Sequence, residues 1–165
     1  MRDFRRERDG AVCATFAAEE VEIIVQLAGE SAALADTARR GAEPRSDPAL
    51  IRLLPDAYPG DAAASAEFRR FTTDGLAGRK AENARTVIAT LATPGAGEVE
   101  VRLDDGASTA WLQAITDIRL VIAARLGIVQ DGDDGDIHDE QTALLRAVYD
   151  WLAYVQDSLV GALRR

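Results

Sequence analysis

Leu144, Val148, Leu152, Val155, Leu159 and Leu163 recur at four- and three-residue steps near the end of the chain, the spacing that stacks side chains along one face of an α-helix. Each is worth about 1.5–3 kcal/mol if fully buried, an upper bound measured against an extended chain. No competing use of that face approaches this sum. A helix over 139–163 is therefore predicted with the whole stripe in the core, and the rest of the chain must supply the opposing wall.

The 165 residues fit one domain with one continuous core. Phe4 to Phe16 reads as two short strands around Asp9-Gly10, a dipeptide suited to the positive φ angles of a tight turn. Residues 17–40 open with Glu19, Glu20 and Glu22 and close with Arg39, Arg40 and Gly41, the charge order that suits a helix dipole. Ile24, Leu27, Ser31, Leu34 and Ala38 share one face of that first long helix. A polar turn over 41–48 leads to Asp47-Pro48, a cap followed by a proline at the first helical position, so Ala49–Leu54 should form a short helix that Pro55 and Pro59 end.

Asp61 can cap the next helix, expected to run to Ala92 with a kink or break at Thr72-Thr73-Asp74-Gly75, where helix propensity is poor. After a loop over 93–97, Val99, Val101 and Leu103 alternate with Glu100 and Arg102, the period of a half-buried strand over 98–103. This third strand can complete the N-terminal hairpin, which alone would be marginal. Asp104 caps a helix carrying Trp111, Ile115, Ile118, Ile122 and Leu126 on one face and ending at Gly127. The expected fold is thus mainly α: about five helices with a three-stranded antiparallel sheet, divided into a hairpin (1–16), a helical half (17–92), a strand (98–103) and two long helices (104–165) joined by an acidic loop.

Twenty-eight acids against 19 bases give a formal net charge of -9, a field that repels phosphate backbones and anionic lipid. Generic nucleic-acid binding is disfavoured. No apolar run reaches the roughly 18 residues of a membrane span, and Met1–Arg8 is too charged for a signal peptide. With Cys13 as the single cysteine, no intramolecular disulfide or multi-cysteine zinc site can form, which suits a reducing, cytoplasmic setting.

Catalytic machinery is hard to find. The loop acids Asp131, Asp133, Asp134 and Asp136 suggest calcium, but an EF-hand begun at Asp131 puts Asp136 where glycine belongs and Thr142 where the bidentate glutamate belongs. A solvated loop fits better. His138 is the lone histidine, flanked by Asp136, Asp139 and Glu140 at a helix start, with no serine or cysteine motif beside it. No nucleophile elbow, phosphate loop or dinucleotide fingerprint occurs, and no cofactor or metal site is expected. Cys13 sits on the second strand opposite Arg5, Arg6 and Arg8, which would favour a reactive thiol, although packing is the simpler role.

Four segments together are distinctive: Asp47-Pro48-Ala49-Leu50 through Pro55-Asp56-Ala57-Tyr58-Pro59; Glu67-Phe68-Arg69-Arg70; Trp111-Leu112 through Asp117-Ile118-Arg119-Leu120 to Arg125-Leu126-Gly127; and Val148-Tyr149-Asp150-Trp151-Leu152 to Ser158-Leu159. In this order they resemble the domain of unknown function 2017 family of actinobacterial proteins. The resemblance implies a regulatory role, including redox-responsive transcription control. With Cys13 alone, any such switch would run through an intermolecular disulfide or a small-thiol adduct. Asp117, Arg119, Arg125 and Asp150, polar residues inside apolar helices, are expected to form an ion-pair network between the last two long helices, the alternative being a partner site.

The leading functional expectation is a non-catalytic regulatory protein acting through protein-protein contact. Its contact regions would be the loop acids and the side of the first helix around Glu19, Glu22 and Glu30, with a homo-oligomer also compatible. The alternatives are an enzyme using isolated carboxylates, which leave no motif, and a sequence-specific DNA binder with a segregated basic face.

Overall fold

A computed structural model describes residues 1–40, 47–58, 60–92, 97–130 and 132–164. The turn expected at 41–46, Pro59, most of the 93–97 loop and Asp131 lie outside the described residues. The elements are β1 (Arg2–Arg6), β2 (Val12–Phe16), α1 (Ala18–Arg39), α2 (Pro48–Leu53), α3 (Ala62–Leu91), β3 (Val99–Leu103), α4 (Asp105–Arg125) and α5 (Glu140–Leu163).

The three strands form one antiparallel sheet in the order β1-β2-β3. In the hairpin turn only Gly10 takes a positive φ, of 90°, while Asp9 stays on the ordinary side and its carboxylate accepts from Ala11 N. Gly10 N donates to the Glu7 carbonyl and Glu7 N to that of Ala11. The turn is therefore longer than a two-residue one, with the glycine alone absorbing the left-handed step. Period-two alternation sends Phe4, Val12, Ala14, Phe16, Val99, Val101 and Leu103 inward. There Phe4, Phe16 and the fully buried Trp111 of α4 pack ring against ring at 5.6–5.9 Å, and the Trp111 indole N–H donates to Thr90 Oγ1 at 2.9 Å.

The starts of α2, α3 and α4 follow the caps read from sequence, and α5 adds a fourth of the same kind. Asp47, Asp61, Asp104 and Asp139 each accept from backbone amides of the first turn of α2, α3, α4 and α5. The break expected at Thr72–Gly75 does not occur: α3 is one continuous helix of 30 residues. Its small residues Ala77, Ala81 and Ala84 are buried, as are Ala28, Ser31, Ala32, Ala35 and Ala38 of α1, the helix it packs against most extensively. Small side chains let the two backbones approach closely. Arg39 of α1 also clamps Asp74 at 2.8 Å, across the weak stretch itself. Tertiary packing thus overrides local propensity.

Helix α5 corrects a second expectation. Leu152, Val155 and Leu159 are fully buried, and β1 is tied to this end by Phe4 N donating to Ser158 Oγ at 2.9 Å. Val148 and Leu163 are only partly covered, and Leu144 is 65% exposed. The apolar seam continues beyond the core that could bury it.

Candidate functional site

The four residues expected to form one network do not meet. Among the described residues no hydrogen bond or ion pair joins any two of them. Asp117 accepts from Lys80 Nζ of α3 at 2.5 Å, Arg119 donates to Gln156 at 2.8 Å, Arg125 pairs with Glu30 of α1 at 3.0 Å, and Asp150 with Arg146 one turn earlier. Helical spacing explains the separation: Asp117, Arg119 and Arg125 leave α4 in different directions, toward α3, α5 and α1. Burial holds the Asp117 carboxyl above the ordinary carboxylate range, and the bond and charge of Lys80 pull it back. Asp117 lies in a groove with Leu76, Asn83, Leu112 and Thr116 and no second carboxylate, so the convergent acids that carboxylate catalysis needs are not assembled there.

The acidic loop is more ordered than a solvated loop requires. Asp133 accepts from Gly135 N at 3.0 Å and Val129 N at 3.1 Å, bonds that hold its carboxyl below the ordinary value. Arg146 donates to the Asp133 and Asp134 carbonyls, and Asp136 N donates to the Leu126 carbonyl at 2.7 Å. Gly135 has φ 77°, and a Cβ there would stand 2.9 Å from that same Leu126 oxygen, so only glycine fits. Asp134 and Asp136 point outward, with side chains 94% and 84% exposed; Asp133 is spent on the loop itself. His138 is exposed between Asp136 and Asp139 at 3.6–3.7 Å.

Cys13 is half-buried on the sheet face away from the core. Arg5 is its register partner on β1, and the arginine whose side chain reaches the sulfur is Arg102 of β3, with Nη1 at 3.5 Å. Arg102 also pairs with Asp9 of the turn. The strand order places β3, not only β1, beside the thiol.

Two surface features emerge that the residues had not announced. One is an apolar groove of about 250 Å³ between α1 and α5, lined by Glu20, Ile23, Ala147, Val148 and Trp151; exposed Leu144 extends the same α5 face one turn further. The other is a cavity of about 290 Å³ between α2, α4, α5 and the start of the acidic loop, with Arg52 and Arg119 among its walls. Arg119 had drawn notice as a charge in an apolar helix; Arg52, in a six-residue helix, carries no signal of its own.

Among the described residues, five helices and one small antiparallel sheet define a mainly helical protein carrying an apolar groove and a cationic cavity. The chain belongs to the family described as Domain of unknown function (DUF2017), whose model matches residues 1–163. No curated protein and no solved structure matches it. Among the described residues no helix is long and apolar enough to cross a membrane.

Proposed function

We propose that the chain is a non-catalytic, cytoplasmic regulatory protein that acts by binding another protein, in transcription control as the family resemblance implies. The observation that carries this reading is the α5 seam, which runs past the core to leave Leu144 exposed and Val148 and Trp151 half-covered beside Ile23 of α1. Apolar stripes of this kind on a folded surface mark contact sites. Exposed Glu19 of α1, one turn before Ile23, and Glu140, one turn before Leu144, border the strip with negative charge, whereas Glu20 is taken up by the Met1 ammonium. The occupant that fits is an apolar helix or strand edged by lysine or arginine, whose approach the net charge of -9 would steer.

A photo-crosslinking amino acid at position 144 identifies the partner in cells, and the purified pair then gives the affinity. Leu144→Asp should weaken binding at least tenfold, about 1.4 kcal/mol, with added salt weakening it further. Phe71→Asp, at another exposed apolar residue, should not. Crosslinks only to a second copy of this chain, or tight sequence-selective DNA binding by the purified protein, would overturn the reading.

A further inference from the structure

Five basic side chains among the described residues are half-buried: Arg52, Arg69, Lys80, Arg119 and Arg146. A cation drawn partly out of water needs a compensating charge. Three have one: Arg69 pairs with Asp56, Lys80 with Asp117 and Arg146 with Asp150. Arg52 and Arg119 pair with no carboxylate among the described residues, in a chain where acids outnumber bases, and both line the 290 Å³ cavity.

Neutral groups hold the two guanidiniums in place. Arg52 donates to the Ile128 carbonyl. Arg119 lies over the Tyr149 ring, 4.8 Å from its centre, and its Nη1 donates to Gln156 Oε1, while Gln156 Nε2 donates to Thr116 Oγ1 at 2.8 Å. Arg119 Nε is buried with no partner at all, a condition rare for a buried donor. Because Gln156 takes Nη1, Nη2 is the nitrogen left for a ligand, and Nε, shut off from the cavity as it stands, completes the edge that accepts a carboxylate with two parallel bonds only when the guanidinium moves. The aliphatic part of the lining is Leu120, Ala123, Ile128 and Val129.

We propose that this cavity binds a small organic anion, a carboxylate on a short aliphatic body. The carboxylate sits between Arg52 and Arg119, and a small shift of the Arg119 guanidinium brings Nε–H to it. The aliphatic body lies against Leu120, Ala123 and Ile128. The volume, about 290 Å³, is at the lower end for ligand sites, which suits a body of a few carbons. Val129 and Gln130 of the lining begin the acidic loop, so the bound anion ties that loop to α4 and α5. The inference stands apart from the docking strip, which uses other residues of α5.

Sodium butyrate, sodium phosphate and sodium chloride at matched ionic strength are titrated into isotopically labelled protein while the arginine Nε–Hε resonances are followed. Butyrate should shift the Arg119 resonance saturably and more strongly than phosphate. Arg119→Gln and Arg52→Gln should each weaken binding at least about tenfold, as loss of a charge-assisted pair requires; Arg125→Gln, which removes an exposed pair with Glu30, should not. The Arg119 resonance is read in the parent protein, so a variant that fails to fold leaves the test intact. Preference for phosphate would overturn the carboxylate assignment. Shifts equal to those with chloride, or unchanged in both variants, would overturn the site.

Discussion

Replacing Lys80 with methionine strands a buried carboxylate. Asp117 keeps 6% of its side chain exposed and Lys80 keeps 18%, and they meet at 2.5 Å across α3 and α4. Burial raises the folded pKa of Asp117 above its ordinary value despite Lys80. A raised carboxyl pKa means that this group favours the native state most below the unfolded value, and that the advantage is lost as pH rises through the folded value. At neutral pH Lys80 offsets the cost of the buried charge; methionine cannot. Removing one partner of such a pair costs about 3–5 kcal/mol, so for a chain of this size the melting temperature at pH 7 should fall by roughly 6–20 °C. Near pH 4 the stranded Asp117 can take a proton, and the deficit should shrink. Lys80→Met combined with Asp117→Leu removes both charges and should return to within about 1 kcal/mol of the parent, or exceed it. Urea denaturation of the parent, both single variants and the double variant at the two pH values supplies the cycle. A Lys80→Met protein within about 0.5 kcal/mol of the parent at pH 7, or with an equal deficit at pH 4, would refute the reasoning.

Gly135→Ala should cost about 1–3 kcal/mol in chemical denaturation, because its φ is positive and its Cβ meets the Leu126 carbonyl; Gly132→Ala, at a similar φ in open space, should cost less. Trp111→Ala should destabilise by about 3–5 kcal/mol, and Trp151→Ala by clearly less, since Trp111 is fully enclosed and Trp151 is half-covered; equal losses would contradict the placement of the core. Any covalent dimer that mild peroxide produces on a non-reducing gel should vanish in Cys13→Ser, since the chain holds no second thiol; a dimer that persists would exclude this residue.

Much of the fold was legible because its signals are local. Aspartate caps, the Trp111–Leu126 face and the β3 alternation each depend on neighbours a few residues away, and each appears where the spacing put it. The unbroken course of α3 was not legible, since the alanine face that begins just past Gly75, at Ala77, is covered by α1, far away in sequence. For the same reason Asp117 could be marked as unusual but not matched to Lys80, 37 residues away. Leu144 shows the limit of periodicity: the repeat says which face is apolar, not where the core that covers it ends. The cationic cavity was half legible, because Arg119 interrupts an apolar helix whereas Arg52 reaches the same space only through the packing of α2 on α4.

The central claim is that the exposed continuation of the α5 seam is a docking strip for another protein. Hydrogen exchange of this chain with and without the partner captured at position 144 tests it most directly. The account predicts slowed exchange in the first three turns of α5 and in α1 around Ile23, with the sheet and α3 unchanged. Protection confined to the sheet or to α3, with the amides around Leu144 and Trp151 exchanging as in the free protein, would contradict it.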